Sequence, residues 1–138
     1  MSRENVEVVR QVYEAVARRD AASVMSLYDP AIEWDGSRLA WAAVLPGTAR
    51  FRGHDGLREL FRLYYEMWER FEDEAEELLD AGEHVISVVK SRGRGRASGV
   101  EVESSGITGV WTVRDGKVLR VVWFPTREEA LEAVGLRE

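Results

Sequence analysis

Residues 107–124 read Ile-Thr-Gly-Val-Trp-Thr-Val-Arg-Asp-Gly-Lys-Val-Leu-Arg-Val-Val-Trp-Phe, and no other stretch narrows the fold of this chain as much. Two alternating apolar runs flank Asp115-Gly116. In that setting Asp-Gly marks a two-residue type I′ turn, which needs positive φ at both central residues. With the turn fixed there, a regular ladder pairs Arg114 with Lys117, Val113 with Val118, Trp111 with Arg120 and Gly109 with Val122. Alternation along pleated strands puts Thr108, Val110, Thr112, Leu119, Val121 and Trp123 on one face. Ile107, Trp111, Val113, Val118, Val122 and Phe124 fall on the other. Apolar bulk stands on both. A half-solvated antiparallel sheet is usually clean on its wet side, so both faces of this hairpin are predicted to be covered. Helices of the chain would cover one. A second copy, forming a homodimer through Trp111, Val122 and Phe124, would cover the other.

The residues before the hairpin supply those helices. Val9, Val12, Tyr13 and Val16 recur at helical spacing within 4–19, with Ser2 as a candidate N-cap. Asp20 is placed to cap a second helix over 21–28, which Asp29-Pro30 stops because the residue before proline avoids the helical region. A short strand follows at 31–34. Residues 36–53 are the least regular part, a loop long enough to be functional rather than idle. Leu57, Leu60, Phe61, Tyr64, Trp68 and Phe71 mark a third helix over about 55–70. The period then drops from 3.6 to 2, giving strands over 72–79, 84–96, 100–113 and the second half of the hairpin. Pro125 ends the sheet, and Thr126 caps a last helix with Glu128 and Glu129 in its first turn. The predicted order is α-α-β-α-β-β-β-β-α. It reads as an α+β fold with the N-terminal helices packed over a curved, cone-shaped antiparallel (mixed) sheet.

Length and composition bound the rest. The 138 residues make one domain, 1–138, with room for a real core. There is no cysteine, hence no disulfide, thiolate metal site or cysteine nucleophile. Two isolated histidines, His54 and His84, without grouped carboxylates predict no metal site. No apolar run approaches the roughly 18 residues of a membrane span, and the polar start Met-Ser-Arg-Glu-Asn carries no signal-peptide pattern, so a cytoplasmic location is expected. The net charge of −6 argues against nucleic-acid binding. Ser-Arg-Gly-Arg-Gly-Arg-Ala-Ser at 91–98 has the look of an arginine-glycine nucleic-acid segment. It reads better as a strand: a turn at Ser98-Gly99 would set Arg96 against Glu101 and Arg94 against Glu103.

Several phrases, together with the element order, carry a family resemblance. They are Ala-Arg-Arg-Asp at 17–20, Leu-Tyr-Asp-Pro-Ala-Ile-Glu-Trp at 27–34, Phe-Arg-Gly-His-Asp-Gly-Leu at 51–57 and Asp-Gly-Lys-Val at 115–118. Over nearly its whole length the chain resembles the SnoaL-like branch of the nuclear-transport-factor-2-like superfamily, which includes ketosteroid isomerase. The resemblance implies a sheet curled into a cone, helices closing it over a mostly apolar pocket, and homodimers through the outer sheet face. It is specific for fold and broad for function, because this fold hosts isomerases, cyclases, dehydratases, epoxide hydrolases and non-catalytic binders. In ketosteroid isomerase a general base follows the first strand, and Asp35 matches it. The oxyanion donors of that enzyme, a tyrosine and a protonated aspartic acid, fall at Val12 and Thr108 here, so that pair is replaced.

The catalytic candidates are therefore Asp35 and His54. A carboxylate at the mouth of an aromatic cone can gain basicity by desolvation, and His54 sits beside the start of the third helix, where it could serve as its acid–base partner. The plainer readings are a solvated Asp-Gly turn and a surface loop histidine. Trp34, Trp41, Tyr64, Trp68, Thr108 and Trp123 are the candidate ligand-binding residues, with core packing as the alternative for the aromatics. The functional expectation is a cofactor-free protein that binds a small apolar organic molecule, either an acid–base enzyme of the isomerase, cyclase or dehydratase kind or a ligand-binding module without chemistry.

Overall fold

A computed structural model describes residues 2–40, 42 and 49–136. The described residues form, in order, α1 (Ser2–Ala17), α2 (Ala21–Leu27), β1 (Tyr28–Asp35), β2 (Arg50–Arg52), α3 (Gly53–Met67), β3 (Trp68–Ala81), β4 (His84–Gly95), β5 (Glu101–Arg114), β6 (Lys117–Phe124) and α4 (Arg127–Ala133). The strands make one open sheet in the order β2-β1-β6-β5-β4-β3. Only the β1–β6 pairing is parallel, among the described strands. This is the expected α+β cone, with one strand more than the sequence suggested: β2 is three residues long, too short for any periodicity to register.

Local chemistry sets the helix ends. Asp20 caps α2, accepting from the Ser23 backbone N–H at 3.1 Å and the Ser23 hydroxyl at 2.6 Å. Thr126 Oγ1 accepts from the Glu129 N–H at 3.2 Å and starts α4. α1, α2 and α3 pack on the inner face of the sheet. Val9, Val12, Ala15, Val24, Leu57 and Leu60 are buried there against Ile32, Trp34, Val85, Trp111, Val118 and Val121. Full burial of each Val, Leu or Ile side chain contributes about 1.5–3 kcal/mol.

The closing hairpin turns where it should. Asp115 (φ 53°) and Gly116 (φ 77°) both lie in the left-handed region, and Arg114 pairs with Lys117 and Val113 with Val118. One residue further the expected register fails. The ladder skips Leu119, so that Thr112 pairs with Arg120, Trp111 with Val121 and Gly109 with Trp123. A β-bulge of one residue exchanges the two faces of everything beyond it. Val121 and Trp123 consequently join Trp111 on the inner face, while Val122 and Phe124 go to the outer face with Thr108 and Val110.

This corrects the expected dimer surface. Trp111 faces the helices and is buried in the core. Val122 and Phe124 do point outward, but they are only 9% and 8% exposed, because α4 lays Ala130 and Val134 over them and Val110. The second apolar face is covered by the chain's own C-terminal helix, so it gives no ground for a homodimer through those three residues.

The arginine-glycine segment is strand, as expected, but its register is shifted. The turn is a four-residue loop, 96–99, closed by the Gly95 N–H donating to the Val100 carbonyl and the Gly99 N–H to the Gly95 carbonyl, so Arg94 pairs with Glu101 and Arg92 with Glu103. Arg96 leaves the ladder. Its guanidinium donates to the Tyr65 carbonyl from Nε at 3.1 Å and Nη2 at 2.9 Å, and to the Trp68 carbonyl at 3.1 Å. It closes the C-terminal end of α3, where carbonyls lack helical partners. Among the described residues, no helix is long and apolar enough to cross a membrane.

Candidate functional site

The inner face of the sheet carries one polar residue at its centre. Alternation along β4 turns Val85, Ser87 and Val89 toward the helices, and Ser87 Oγ accepts two hydrogen bonds there: from the Tyr13 hydroxyl of α1 at 2.9 Å and from Trp111 Nε1 at 2.8 Å. The residue opposite Ser87 is Gly109. A Cβ at Gly109 would lie 2.9 Å from Trp111 Nε1, 2.9 Å from the Trp123 ring and 3.0 Å from Ser87 Oγ. Glycine is what lets the two indoles and the hydroxyl meet. Trp111 and Trp123 stand edge to face at 5.7 Å, Trp34 lies 6.4 Å from Trp123, and Tyr13 and Tyr28 pack against Trp111 at 5.8 and 6.5 Å. Aromatic rings thus fill the narrow end of the cone. Trp123 Nε1 is buried there without a hydrogen-bond acceptor among the described residues.

Toward the β3 edge the interior opens. At this edge β3 presents Phe71, whose ring lies 5.3 Å from that of Tyr64, and Asp73, which accepts from the Ser91 hydroxyl at 2.7 Å. A recess of about 520 Å³ lies here, lined by Val16, Ala17 and Arg19 at the end of α1, Tyr65 of α3, and Phe71 and Asp73. Arg70, Glu72, Glu74, Lys90 and Arg92 complete the lining. Asp73 lines this recess and is exposed by surface area, although protein atoms surround it on the recess side. Desolvation raises its pKa above the usual carboxylate range, and the Ser91 hydrogen bond offsets only part of that rise. Burial also raises the pKa of the Tyr13 and Tyr64 hydroxyls, and the nearby charge of Asp73 raises both further. The result is a carboxyl of raised pKa near two phenols that stay protonated, of which Tyr13 already donates to Ser87.

The residues singled out from the sequence fare differently. Asp35 lies at the end of β1, where alternation carries Trp34 inward and Asp35 the other way. Its partner Arg38 sits 5.0 Å from the ring of the outer-face residue Phe124. Burial works to raise the Asp35 pKa, but hydrogen bonds from the Ser37 hydroxyl (2.6 Å) and N–H (2.9 Å), with Arg50 and Arg38 each at 3.6 Å, bring it below the ordinary value. The expected gain in basicity is therefore corrected: Asp35 is a neutralised turn carboxylate. His54 does not meet it. One ring nitrogen of His54, Nε2, is 2.8 Å from the Tyr28 carbonyl and donates to it, tying the start of α3 to β1. Thr108, expected in the pocket, is fully buried on the opposite face, paired with Phe124 and donating to the Gly106 carbonyl at 2.8 Å.

Trp34 and Trp123 sit on the inner face as expected, within the aromatic cluster of the narrow end. Tyr64 faces the open end beside Phe71. Trp68 begins β3 rather than extending α3, and its ring covers Gly93, 3.0 Å from where a Cβ would stand. Trp41 lies outside the described residues. Val12, matched to the oxyanion tyrosine of ketosteroid isomerase, is core, and it is Tyr13 that reaches the sheet.

Asp73 went unnoticed in the sequence. It stands in Phe71-Glu-Asp-Glu-Ala-Glu-Glu77, where seven successive residues include five acids and look like a solvated edge. The signal was present in the spacing: Phe71, Asp73 and Ala75 alternate, so an aromatic and a lone aspartate share a face. Assigning Phe71 to the preceding helix hid it. Among the described residues there is no group of three or more His, Asp or Glu that could hold a metal ion.

An open mixed sheet curled under three helices defines a domain of the nuclear-transport-factor-2-like class. Within that class the chain belongs to the SnoaL-like domain family, whose sequence pattern matches residues 9–121. An NTF2-like protein from Burkholderia thailandensis is 32% identical, with 86% of this chain and 88% of that one covered at a TM-score of 0.74. An NTF2-like protein of unknown function from Burkholderia pseudomallei superposes with a TM-score of 0.78 over 96% and 98% of the two chains at 19% identity. TerC, co-crystallised with polyporic acid, gives 0.77 over 95% and 97% at 19% identity. No curated protein sequence matches the chain.

Proposed function

We propose that this domain binds a small, largely apolar carbonyl compound in the recess between α1, α3 and β3 and moves a proton on it without a bound cofactor. The chemistry is that of an isomerase, cyclase or dehydratase. Asp73 takes the role expected of Asp35. The observation that carries this reading is the placement of Asp73: a carboxyl exposed to the recess, held by the Ser91 hydroxyl at 2.7 Å, its pKa raised, and near the protonated phenol of Tyr64. A carboxylate of raised pKa is a stronger base toward a proton next to a carbonyl, and a phenol can donate to the oxygen on which charge develops. The TerC co-crystal is in keeping with a ligand of this size class.

The test is deuterium uptake next to the carbonyl of 2-tetralone, followed by NMR in deuterated buffer. Wild type should exchange above the buffer rate, Asp73→Asn should lose at least tenfold, and Asp35→Asn should match wild type. Equal exchange in wild type and Asp73→Asn would sink the proposal. The second reading is a binder without chemistry, favoured by the aromatic filling of the narrow end, which leaves the recess open to water on one side. Saturable binding of the ketone with no exchange above buffer would establish that reading instead.

A further inference from the structure

The end of α1 breaks a local rule in a place that faces the recess. The Asp20 N–H bonds the Ala15 carbonyl at 3.0 Å and the Arg19 N–H bonds the Val16 carbonyl at 3.0 Å. This is the Schellman arrangement, in which the left-handed residue is usually glycine. Here it is Arg19, at φ 57°, a conformation that strains any residue with a Cβ. Strain held at one position is a pointer to function when the side chain has somewhere to act. The Arg19 side chain does: it lines the recess with Asp73 and Phe71, its guanidinium 6.0 Å from the centre of the Tyr65 ring.

Of the other cations of the lining, Arg70 is ion-paired with Glu101 at 2.6 Å and Lys90 with Glu103 at 3.7 Å, while Arg92 faces Glu72 and Glu103 across the ladder without an ion pair among the described residues. Glu72 and Glu74 alternate with Asp73 along β3 and so project from the other face of the strand, level with Arg92 and Lys90. Arg19 makes no ion pair among the described residues, with Asp73 or any other acid. Its neighbour Arg18 is the one near Asp20, at 3.9 Å.

Building on the recess reading above, we infer that its ligand carries an anionic oxygen, a carboxylate or an ionised enol, on an aromatic or apolar body, and that Arg19 binds that anion. A guanidinium offers paired donors to such a group, and Tyr65 and Phe71 give the ring a surface to lie on. Arg19 is thus a specificity-determining residue of the proposed site.

The experiment compares 2-naphthoate with its neutral analogue 2-naphthalenemethanol by calorimetric titration. Wild type should prefer the anion by at least tenfold, Arg19→Gln should abolish the preference, and Arg19→Lys should keep part of it. Arg19→Gly supplies the control that a structural role could not pass. It removes the side chain and relieves the left-handed strain, so its melting temperature should rise while the preference disappears. Equal affinity of wild type for the two probes overturns this inference and leaves the recess as a ligand site. Failure of wild type to bind either overturns both. A lower melting temperature in Arg19→Gly would show that Arg19 serves the fold, and would overturn the inference as well.

Discussion

Removing the Ser87 hydroxyl should cost this protein more than its size suggests. Ser87 is fully buried, and its Oγ is the acceptor for both the Tyr13 hydroxyl and Trp111 Nε1. Alanine fits the space but leaves two donors facing a methyl group. A buried donor left unpaired costs about 1–3 kcal/mol. Trp111 is 2% exposed and cannot turn to water, so it is expected near the top of that range. The Tyr13 hydroxyl, buried against the sheet, loses its acceptor as well. Ser87→Ala should therefore lose about 2–5 kcal/mol, a large share of the roughly 5–15 kcal/mol of an ordinary domain. Tyr13→Phe removes one donor while Trp111 still occupies Ser87, so it should lose only about 0.5–1.5 kcal/mol. Adding Tyr13→Phe to Ser87→Ala should restore part of the loss, because only one orphan donor remains. Urea denaturation followed by tryptophan fluorescence measures all three, with an unchanged slope as the sign that stability alone has moved. A Ser87→Ala protein within about 0.5 kcal/mol of wild type, or a Tyr13→Phe loss equal to that of Ser87→Ala, would refute the shared-acceptor reasoning, since both depart from the range for an orphaned buried group.

Arg96→Ala should lose about 1–2 kcal/mol by uncapping α3, while Arg92→Ser, in the exposed ladder, should stay below about 1 kcal/mol; equal effects on urea midpoints would contradict the capping role. Val122→Glu places a charge beneath α4 and should lower the unfolding midpoint by the same amount at every protein concentration, whereas a midpoint that rises with concentration would point to a subunit interface. For Asp73, a folded-state pKa above the unfolded one means that its contribution is fully present below about pH 4, the unfolded value, and is lost as pH rises through the folded pKa. Asp73→Asn should accordingly match wild type near pH 4 and become the more stable of the two toward pH 7; the opposite trend would show a carboxylate stabilised by its surroundings.

What could be read from the sequence was governed by how many residues repeat a pattern. The helices were legible because their apolar stripes extend over several turns and their caps, Asp20 and Thr126, have a defined chemistry. The Asp115-Gly116 turn was legible for the same reason, since few residues tolerate positive φ there. The bulge at Leu119 was not. Nothing in Lys-Val-Leu-Arg-Val-Val marks an extra residue, because Leu119, Val121 and Val122 are all apolar and either register buries something. The choice is made by tertiary packing: the inner register places Trp123 against Trp34 and Trp111, over the gap left by Gly109. A dimer surface deduced from the unbulged ladder was bound to mix residues from opposite faces.

The site was less legible for a related reason. Asp35 and His54 attracted attention through family phrases and rare residue type, and both turned out to be tied to their own backbone surroundings: Asp35 to Ser37, His54 to the Tyr28 carbonyl. Asp73 and Arg19 look ordinary as letters, one acid among five and one arginine of a pair. They become unusual only in three dimensions, where a carboxyl lines a recess with its pKa raised and an arginine occupies a glycine conformation. Each carries a stability cost that a simpler residue would remove, asparagine at one position and glycine at the other. Two such costs set into the walls of one recess are hard to account for by folding alone, since both lie where a more stable sequence is a single substitution away. The variants Asp73→Asn and Arg19→Gly therefore make a paired test: both should stabilise the domain, and each should remove a different property of the recess, proton transfer in the first and preference for an anion in the second.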